Sequence, residues 1–340
     1  MFPKSSAWQI LREEALRIIP SPTKLYFKSA VPLRNWRLRG SYVVTSCDKN
    51  KIVLRASPAE FASVLISDVE LLLDHAAEQR ASLKMATGDD QWFSPAWTVV
   101  TAYYWSFFSA LSLTRMVGRS TWHLDKVAIR DLSVLANTLT GRPGAGTLYF
   151  EVKLQPTGDC EMLLQPSGRN SHEAVWFCYH QLVKRIFAAT DQNASVNEYR
   201  LWWCLTECAK ILGDAWPSDV RNDVNYKIGL AYLEVTKTQN TKAGPQLRKL
   251  SEMDLDALLG QFETEVHRIQ SDLGTRQDLE TLTKLLILNS LALALIAENL
   301  HKDILDRVDG DKRWLQMRQK FFSEKCPSES NKFWPFGGLD

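Results

Sequence analysis

From Asn170 to about residue 324 the chain keeps the three- and four-residue spacing of apolar side chains that marks helices, with few interruptions. A half-chain patterned in this way points to a mainly α architecture, because helical periodicity cannot line one face of a strand. Asn170, with Glu173 three residues on, has the form of a capping box. It opens a helix through Phe187 whose inward side is Val175, Trp176, Tyr179, Leu182, Val183 and Ile186. A second helix spans 196–212 and stops at Gly213, and a third begins at Trp216-Pro-Ser-Asp219 and runs to about Val235. The polar stretch Lys237-Thr-Gln-Asn-Thr-Lys-Ala-Gly-Pro245 separates these from helices at 246–270, 277–308 and 312–324, with Ser251 and Asp254 as cap signals.

The first half is more mixed. Residues 7–19 form a short amphipathic helix (Trp8, Ile10, Leu11, Leu16, Ile18, Ile19) ended by Pro20-Ser-Pro22, where ring nitrogens cannot donate. Residues 36–56 turn to β-branched content around Asp48-Lys-Asn50, so Trp36 to Val44 and Lys51 to Arg55 predict a hairpin. Helical spacing returns at 59–80 and ends by Gly88-Asp-Asp90. An aromatic stretch follows, with Trp92, Phe93, Trp97, Tyr103, Tyr104, Trp105, Phe107 and Phe108 before Gly118. Its spacing predicts a helix buried around more than half its circumference. After the Gly141–Gly146 loop, Leu148–Leu154 and Glu161–Leu164 predict a second hairpin turning at Pro156-Thr-Gly-Asp159, and the two hairpins could share one sheet.

The expected fold class is therefore mainly α (α+β): a helical bundle with one or two small β-hairpins and a C-terminal helical group. Its parts are an N-terminal helix and hairpin at 1–58, a helical domain at 59–236 with a hairpin inserted at about 146–166, a C-terminal helical domain at 246–325 and a tail at 326–340. At 45% apolar and 24% charged residues, a 340-residue chain can bury a sizeable core, which excludes wholesale disorder. Forty-one Lys and Arg against 39 Asp and Glu give a net charge of +2, so any nucleic-acid contact must be a local patch. The six cysteines (47, 160, 178, 204, 208, 326) do not form a disulfide pattern, and the N-terminus has no apolar leader. Both features predict a reducing, cytoplasmic setting. The longest apolar run, Leu285–Ala297, is broken by Asn289 and Ser290 and falls short of the roughly 20 residues a membrane crossing needs, so no membrane is expected as a partner.

No known nucleotide or metal motif stands out. Gly141-Arg-Pro-Gly-Ala-Gly146 lacks the Lys-Ser/Thr of a P-loop and the spacing of a dinucleotide fingerprint. Cys204 and Cys208 lie one helical turn apart without a second pair, the pattern of core cysteines rather than metal ligands, and no cofactor is predicted. Among the histidines, His172 and His180 lie on nearby helix faces, and His172 could serve as an acid or base beside Arg169 and Asn170.

The segment Trp216–Tyr226 is the most informative. On a helix turning about 100° per residue, Arg221, Asn222, Asn225 and Tyr226 fall within an arc of roughly 140°. One face thus carries a cation, two amides and a phenol, a set that can hold a phosphate bidentately and donate further hydrogen bonds to an RNA backbone. The bland reading is a polar network that specifies packing.

The Arg221-Asn222 pair opening a helix, after an earlier helix with the paired aromatics Tyr103-Tyr104 and Phe107-Phe108, resembles the HEPN superfamily of helical bundles over roughly residues 60–235. That family is common in prokaryotic toxin, abortive-infection and CRISPR-associated proteins. Its active members are metal-independent endoribonucleases that place an Arg, and a His a turn or more further along, at a two-fold dimer interface. The resemblance implies RNA as ligand, a homodimer, and site residues Arg221, Asn222, Asn225 and Tyr226. The position where the His would first fall holds Tyr226, followed by Lys227 and Ile228, and none of the six histidines stands at that spacing from an Arg. A phenol, with an ordinary pKa of about 10, is a poor general base at neutral pH.

Two other readings compete. One is a non-catalytic interaction subunit of a larger defence complex, with Phe333-Trp-Pro-Phe336 as an anchor for a partner protein subunit or for its own core. The other is DNA binding through Arg34, Arg37 and Arg39 with Trp36 on the first predicted hairpin, where a strand would set alternate cations on one side.

Overall fold

The structure, a computed structural model, describes residues 6–17, 32–39, 41–86, 95–138, 140–191, 196–226, 249–250, 253–272 and 278–307. Its helices are α1 (Ala7–Leu16), α2 (Leu33–Arg39), α3 (Pro58–Ala86), α4 (Pro95–Met116), α5 (Lys126–Leu135), α6 (Ser171–Ala189), α7 (Val196–Leu212), α8 (Trp216–Tyr226), α9 (Leu255–Ser271) and α10 (Leu279–Arg307). The strands are β1 (Val43–Asp48), β2 (Lys51–Ala56), β3 (Arg119–Leu124), β4 (Gly146–Leu154) and β5 (Cys160–Pro166). The protein is mainly α with one small antiparallel sheet, as its hydrophobic periodicity predicts. The Gly88 break, Trp92, Phe93, the continuation of α8 to Val235, the 237–245 linker, the 312–324 helix and the Phe333–Phe336 cluster lie outside the described residues.

The chain divides into two compact units: residues 1–10, 73–110 and 180–297 form one, and 11–72, 111–179 and 298–340 the other. The second unit holds the sheet, in the order β1-β2-β5-β4-β3. The predicted hairpins do share it, because register lines up their apolar residues. Ile52 pairs with Leu164 and Leu164 with Phe150, while Leu54 pairs with Met162 and Met162 with Val152. All six of these side chains are buried. On the opposite face, Arg55 and Glu161 pair directly across β2 and β5 at 2.7 Å, as do Arg119 and Glu151 across β3 and β4. The edge strand β1 lies beside α5, and the other edge strand, β3, leads into α5 through Asp125.

Strand β3 and helix α5 are additions to the sequence reading. Arg119–Leu124 carries Thr121 and Trp122, ordinary strand formers, and Asp125 caps α5 by accepting the Ala128 N–H at 2.7 Å. The stretch from Trp36 to Arg39 is a correction, because it is helical rather than the first arm of a hairpin. Tertiary contacts hold it so: the Asp68 carboxylate accepts the Leu33 N–H at 3.0 Å, and the Trp36 indole N–H donates to Glu60 at 2.7 Å. Leu33 and Trp36 face inward and Arg37 pairs with Asp131 at 3.4 Å. The strand geometry on which DNA binding rested is therefore absent from this segment.

In the first unit α10 lies against α4. Residues 285–288 and 291–294 are buried throughout. The two polar residues that interrupt the apolar run are also buried and serve as cross-links: Asn289 Nδ2 donates to Ser106 Oγ at 2.7 Å, and Ser290 Oγ donates to the Ala102 carbonyl at 3.0 Å. By length and composition α10 passes for a membrane span, yet 72% of its most apolar window is buried within the protein. Helices α7 and α9 pair through Arg200, whose Nε and Nη2 donate to the two Glu263 oxygens at 2.6 Å each.

Two buried polar pairs tie α3 into the second unit. Arg115 meets Asp68 at 3.3 Å and lies over the Phe150 ring at 4.7 Å. Burial pushes the Asp68 carboxyl up and the Arg115 guanidinium down, and each partner's charge opposes that shift. Removing one member leaves the other charge buried and uncompensated, so Arg115→Leu should cost about 3 kcal/mol in urea unfolding. A loss within the few tenths of a surface change would contradict the burial argument.

His301 and Glu70 share a hydrogen bond of 2.6 Å, both almost fully buried. Burial pushes the imidazole pKa down to about 3, so the folded state holds His301 neutral. An unfolded His titrates near 6.5, so between those values the unfolded chain binds more protons and stability is lost as pH falls. Above about 6.5 that contribution is fully present. Urea midpoints of the wild type should drop through this window, and those of His301→Gln should drop less steeply. Parallel curves would show that His301 does not carry the effect.

Candidate functional site

Helix α7 ends at Gly213, whose φ of 91° suits a glycine C-terminal stop, and the chain turns through Asp214 and Ala215 into α8. Lys184 Nζ donates to the Asp214 carboxylate at 2.9 Å and ties this turn to α6. Pro217 stands in the first turn of α8, where its missing N–H costs nothing. Trp216, Val220 and Val224, four residues apart, form the buried line of α8, with Pro217 and Ser218 beside them.

The inward line positions the polar face. Ser218 is buried, and its hydroxyl lies 3.1 Å from the Tyr103 phenol of α4. One turn further on, the Arg221 guanidinium lies over the ring of the same tyrosine, 5.2 Å from its centroid. That ring stacks on Phe107 at 5.8 Å and meets Tyr104 edge-on at 5.2 Å. Tyr103 thus holds α8 by its hydroxyl and supports the cation by its π face, a contact that favours a desolvated guanidinium. Arg221 forms no ion pair among the described residues, and its Nε is buried without a hydrogen-bond partner. Asp219 and Asp223, two residues either side, project from other sides of the helix.

The four predicted residues divide by depth. Arg221 and Asn222 are half-buried, Asn225 is exposed, and Tyr226, the last described residue of α8, is 72% exposed. Arg221 and Asn225 are neighbours one turn apart, as are Asn222 and Tyr226. Arg221 offers a fork of donors to a phosphate or carboxylate, Asn225 an amide beside it, and Tyr226 a phenol and an open ring. Ser218 and Tyr103, which sequence reasoning did not assign to the site, orient Arg221. Their pairing joins residues 115 positions apart, and the only local signal was the small polar residue one turn before the arginine.

The histidines are placed elsewhere. His180 is buried in α6 and His172 half-buried near that helix's start. His75 packs on Phe108, His123 meets Thr147, His267 lies beside Gln270 and Trp203, and His301 is paired with Glu70. Cys204 and Cys208 are fully buried in α7, and burial pushes both thiols well above their ordinary range. Among the described residues no three His, Cys, Asp or Glu side chains gather into a metal-binding group. Comparison with protein-family models, curated proteins and solved structures finds no match for this chain.

Two substitutions separate the roles of Tyr103. Tyr103→Phe removes only the phenol and should cost about 1 kcal/mol in urea unfolding. Tyr103→Leu also removes the ring beneath Arg221 and should cost about 3 kcal/mol. Equal losses would show that the ring supports nothing beyond the hydroxyl contact.

Proposed function

We propose that this chain is a HEPN-like component of a prokaryotic antiviral defence or toxin system that engages RNA through the polar face of α8. One observation carries the reading: Arg221 is propped on an aromatic ring and has no carboxylate partner among the described residues, next to the exposed Asn225 and Tyr226. A guanidinium placed only to satisfy internal packing would be met by an internal acid. In this proposal Arg221 takes a backbone phosphate, Asn222 and Asn225 donate to phosphate or 2′-hydroxyl oxygens, and Tyr226 offers its ring to an unstacked base.

Cleavage asks for more than binding. Attack of a ribose 2′-hydroxyl on the adjacent phosphorus requires a group that accepts the hydroxyl proton and another that protonates the departing 5′-oxygen. α8 carries Tyr226 where the resemblance calls for a histidine, so a nuclease on this site is a divergent, metal-independent one. The resemblance also supplies the expectation of a two-fold homodimer. The alternative is a non-catalytic interaction subunit, favoured by the absence of a histidine from α8 and by the exposed Tyr226, a residue type enriched in binding hot spots.

The test is to incubate purified protein with total RNA in EDTA, beside Arg221→Ala, and to score both cleavage and filter retention. Cleavage by the wild type alone supports the nuclease form. Retention of uncut RNA that Arg221→Ala weakens about ten-fold or more supports binding without chemistry. Uncut and unretained RNA in both samples would eliminate RNA as the ligand and leave the interaction subunit.

A further inference from the structure

We propose that the outer faces of α2 and α5, with the start of β1, form a docking surface for an acidic amphipathic helix of a partner protein. This surface belongs to the second unit and does not depend on how α8 functions. Five aliphatic side chains are exposed there: Leu38 (67%), Val43 (63%), Val127 (53%), Val134 (56%) and Leu135 (57%). Scattered exposed aliphatics are ordinary, whereas a cluster is not. Helix spacing puts Val127, Val134 and Leu135 on the face of α5 that carries Asp131; Arg37 of α2 meets that Asp131 at 3.4 Å, which sets α2 and its Leu38 alongside, and the Tyr42 hydroxyl donates to the Arg37 carbonyl at 2.9 Å, which brings the start of β1 next to α2.

Charge identifies the occupant. Exposed Arg34 and Arg39 of α2, Lys126 of α5 and Arg142 form no ion pair among the described residues. The acids Asp125, Asp131 and Asp48 keep their charge but are outnumbered by these cations with Arg37 and Arg130. Asp125 accepts the Ala128 N–H at 2.7 Å, Asp131 is shared by Arg37 and Arg130, and Asp48 accepts the N–H groups of Asn50 and Lys51. An aliphatic strip bordered by unneutralised cations complements apolar residues flanked by carboxylates.

Spacing favours a helix as the bearer of that pattern. Val127 and Val134 lie two turns apart on one line of α5, about 10 Å along the axis, so a partner helix would meet them with residues at i, i+4 and i+7. The same surface suits other polyanions less well. Among its described residues it exposes no aromatic anchor of the kind that seats a protein in a lipid interface or stacks an unpaired base, since Trp36 is buried and Tyr42 is half-buried with its ring 4.7 Å from Trp36.

The probe is a fluorescein-labelled synthetic helix of about four turns with Leu at i, i+4 and i+7 and Glu on its flanks, followed by anisotropy against the full chain. Its controls are the same peptide with Lys for Glu, vesicles of phosphatidylserine and phosphatidylcholine, and a single-stranded RNA. Saturable binding of the Glu peptide is expected, weakened about ten-fold or more by the Lys swap and by Leu38→Asp/Val134→Asp. Both substituted side chains are exposed, so the variant's thermal melt should not change, and Arg221→Ala should bind the peptide like the wild type. Absent or charge-independent binding, or binding that ignores the double substitution, overturns the proposal. So does vesicle or RNA binding that the double variant loses while the Glu peptide fails, because the surface then belongs to that other class.

Discussion

Tyr103 is the side chain on which the candidate site depends. Its hydroxyl meets buried Ser218 and its ring lies beneath Arg221, so a single residue of α4 sets both the depth of α8 and the direction of its cation. A half-buried arginine normally reaches an internal carboxylate, which repays desolvation but closes the guanidinium to ligands. An aromatic face compensates part of the same cost while leaving the planar fork unsaturated. This distinguishes Arg221 from Arg115, which has both a ring and an acid, and from Arg200, which is held by both oxygens of Glu263.

The interior follows a related logic. Asn289 and Ser290 look like flaws in an apolar run, yet each donates across to α4 in a fully buried setting, and such bonds select one register between two otherwise greasy helices. Asp68 works similarly, spending one oxygen on Arg115 and the other on the first turn of α2. Polar groups here specify which apolar surfaces meet.

That logic also explains what could be read in advance. Helices α3, α4, α6 and α7 were legible because their own periodicity and caps agree with their burial; the Asn170 side chain does accept the Glu173 N–H at 3.0 Å. The second hairpin was legible from its alternation and turn. Trp36–Arg39 was misread because its helical state is decided by Asp68 and Glu60, partners on α3 that no local pattern reveals. Strand β3 buries Ser120, Thr121, Trp122 and Leu124, so it offers no alternation of buried and exposed positions for a period-two pattern to reveal. Of the candidate site, the shared face of Arg221, Asn222, Asn225 and Tyr226 came from spacing alone. Its support by Tyr103 did not, since that contact spans two helices far apart in the chain.

The proposed role of α8 requires Arg221 to be open to an external phosphate. The most direct measurement is the salt dependence of binding between a labelled single-stranded RNA and the wild type, set against Arg221→Gln. If Arg221 neutralises one phosphate, the slope of log affinity against log salt should shrink by about 0.7 in the variant, with weaker binding at every salt concentration. Superimposable curves for the two proteins would assign the guanidinium to internal packing and rule out a phosphate contact at Arg221.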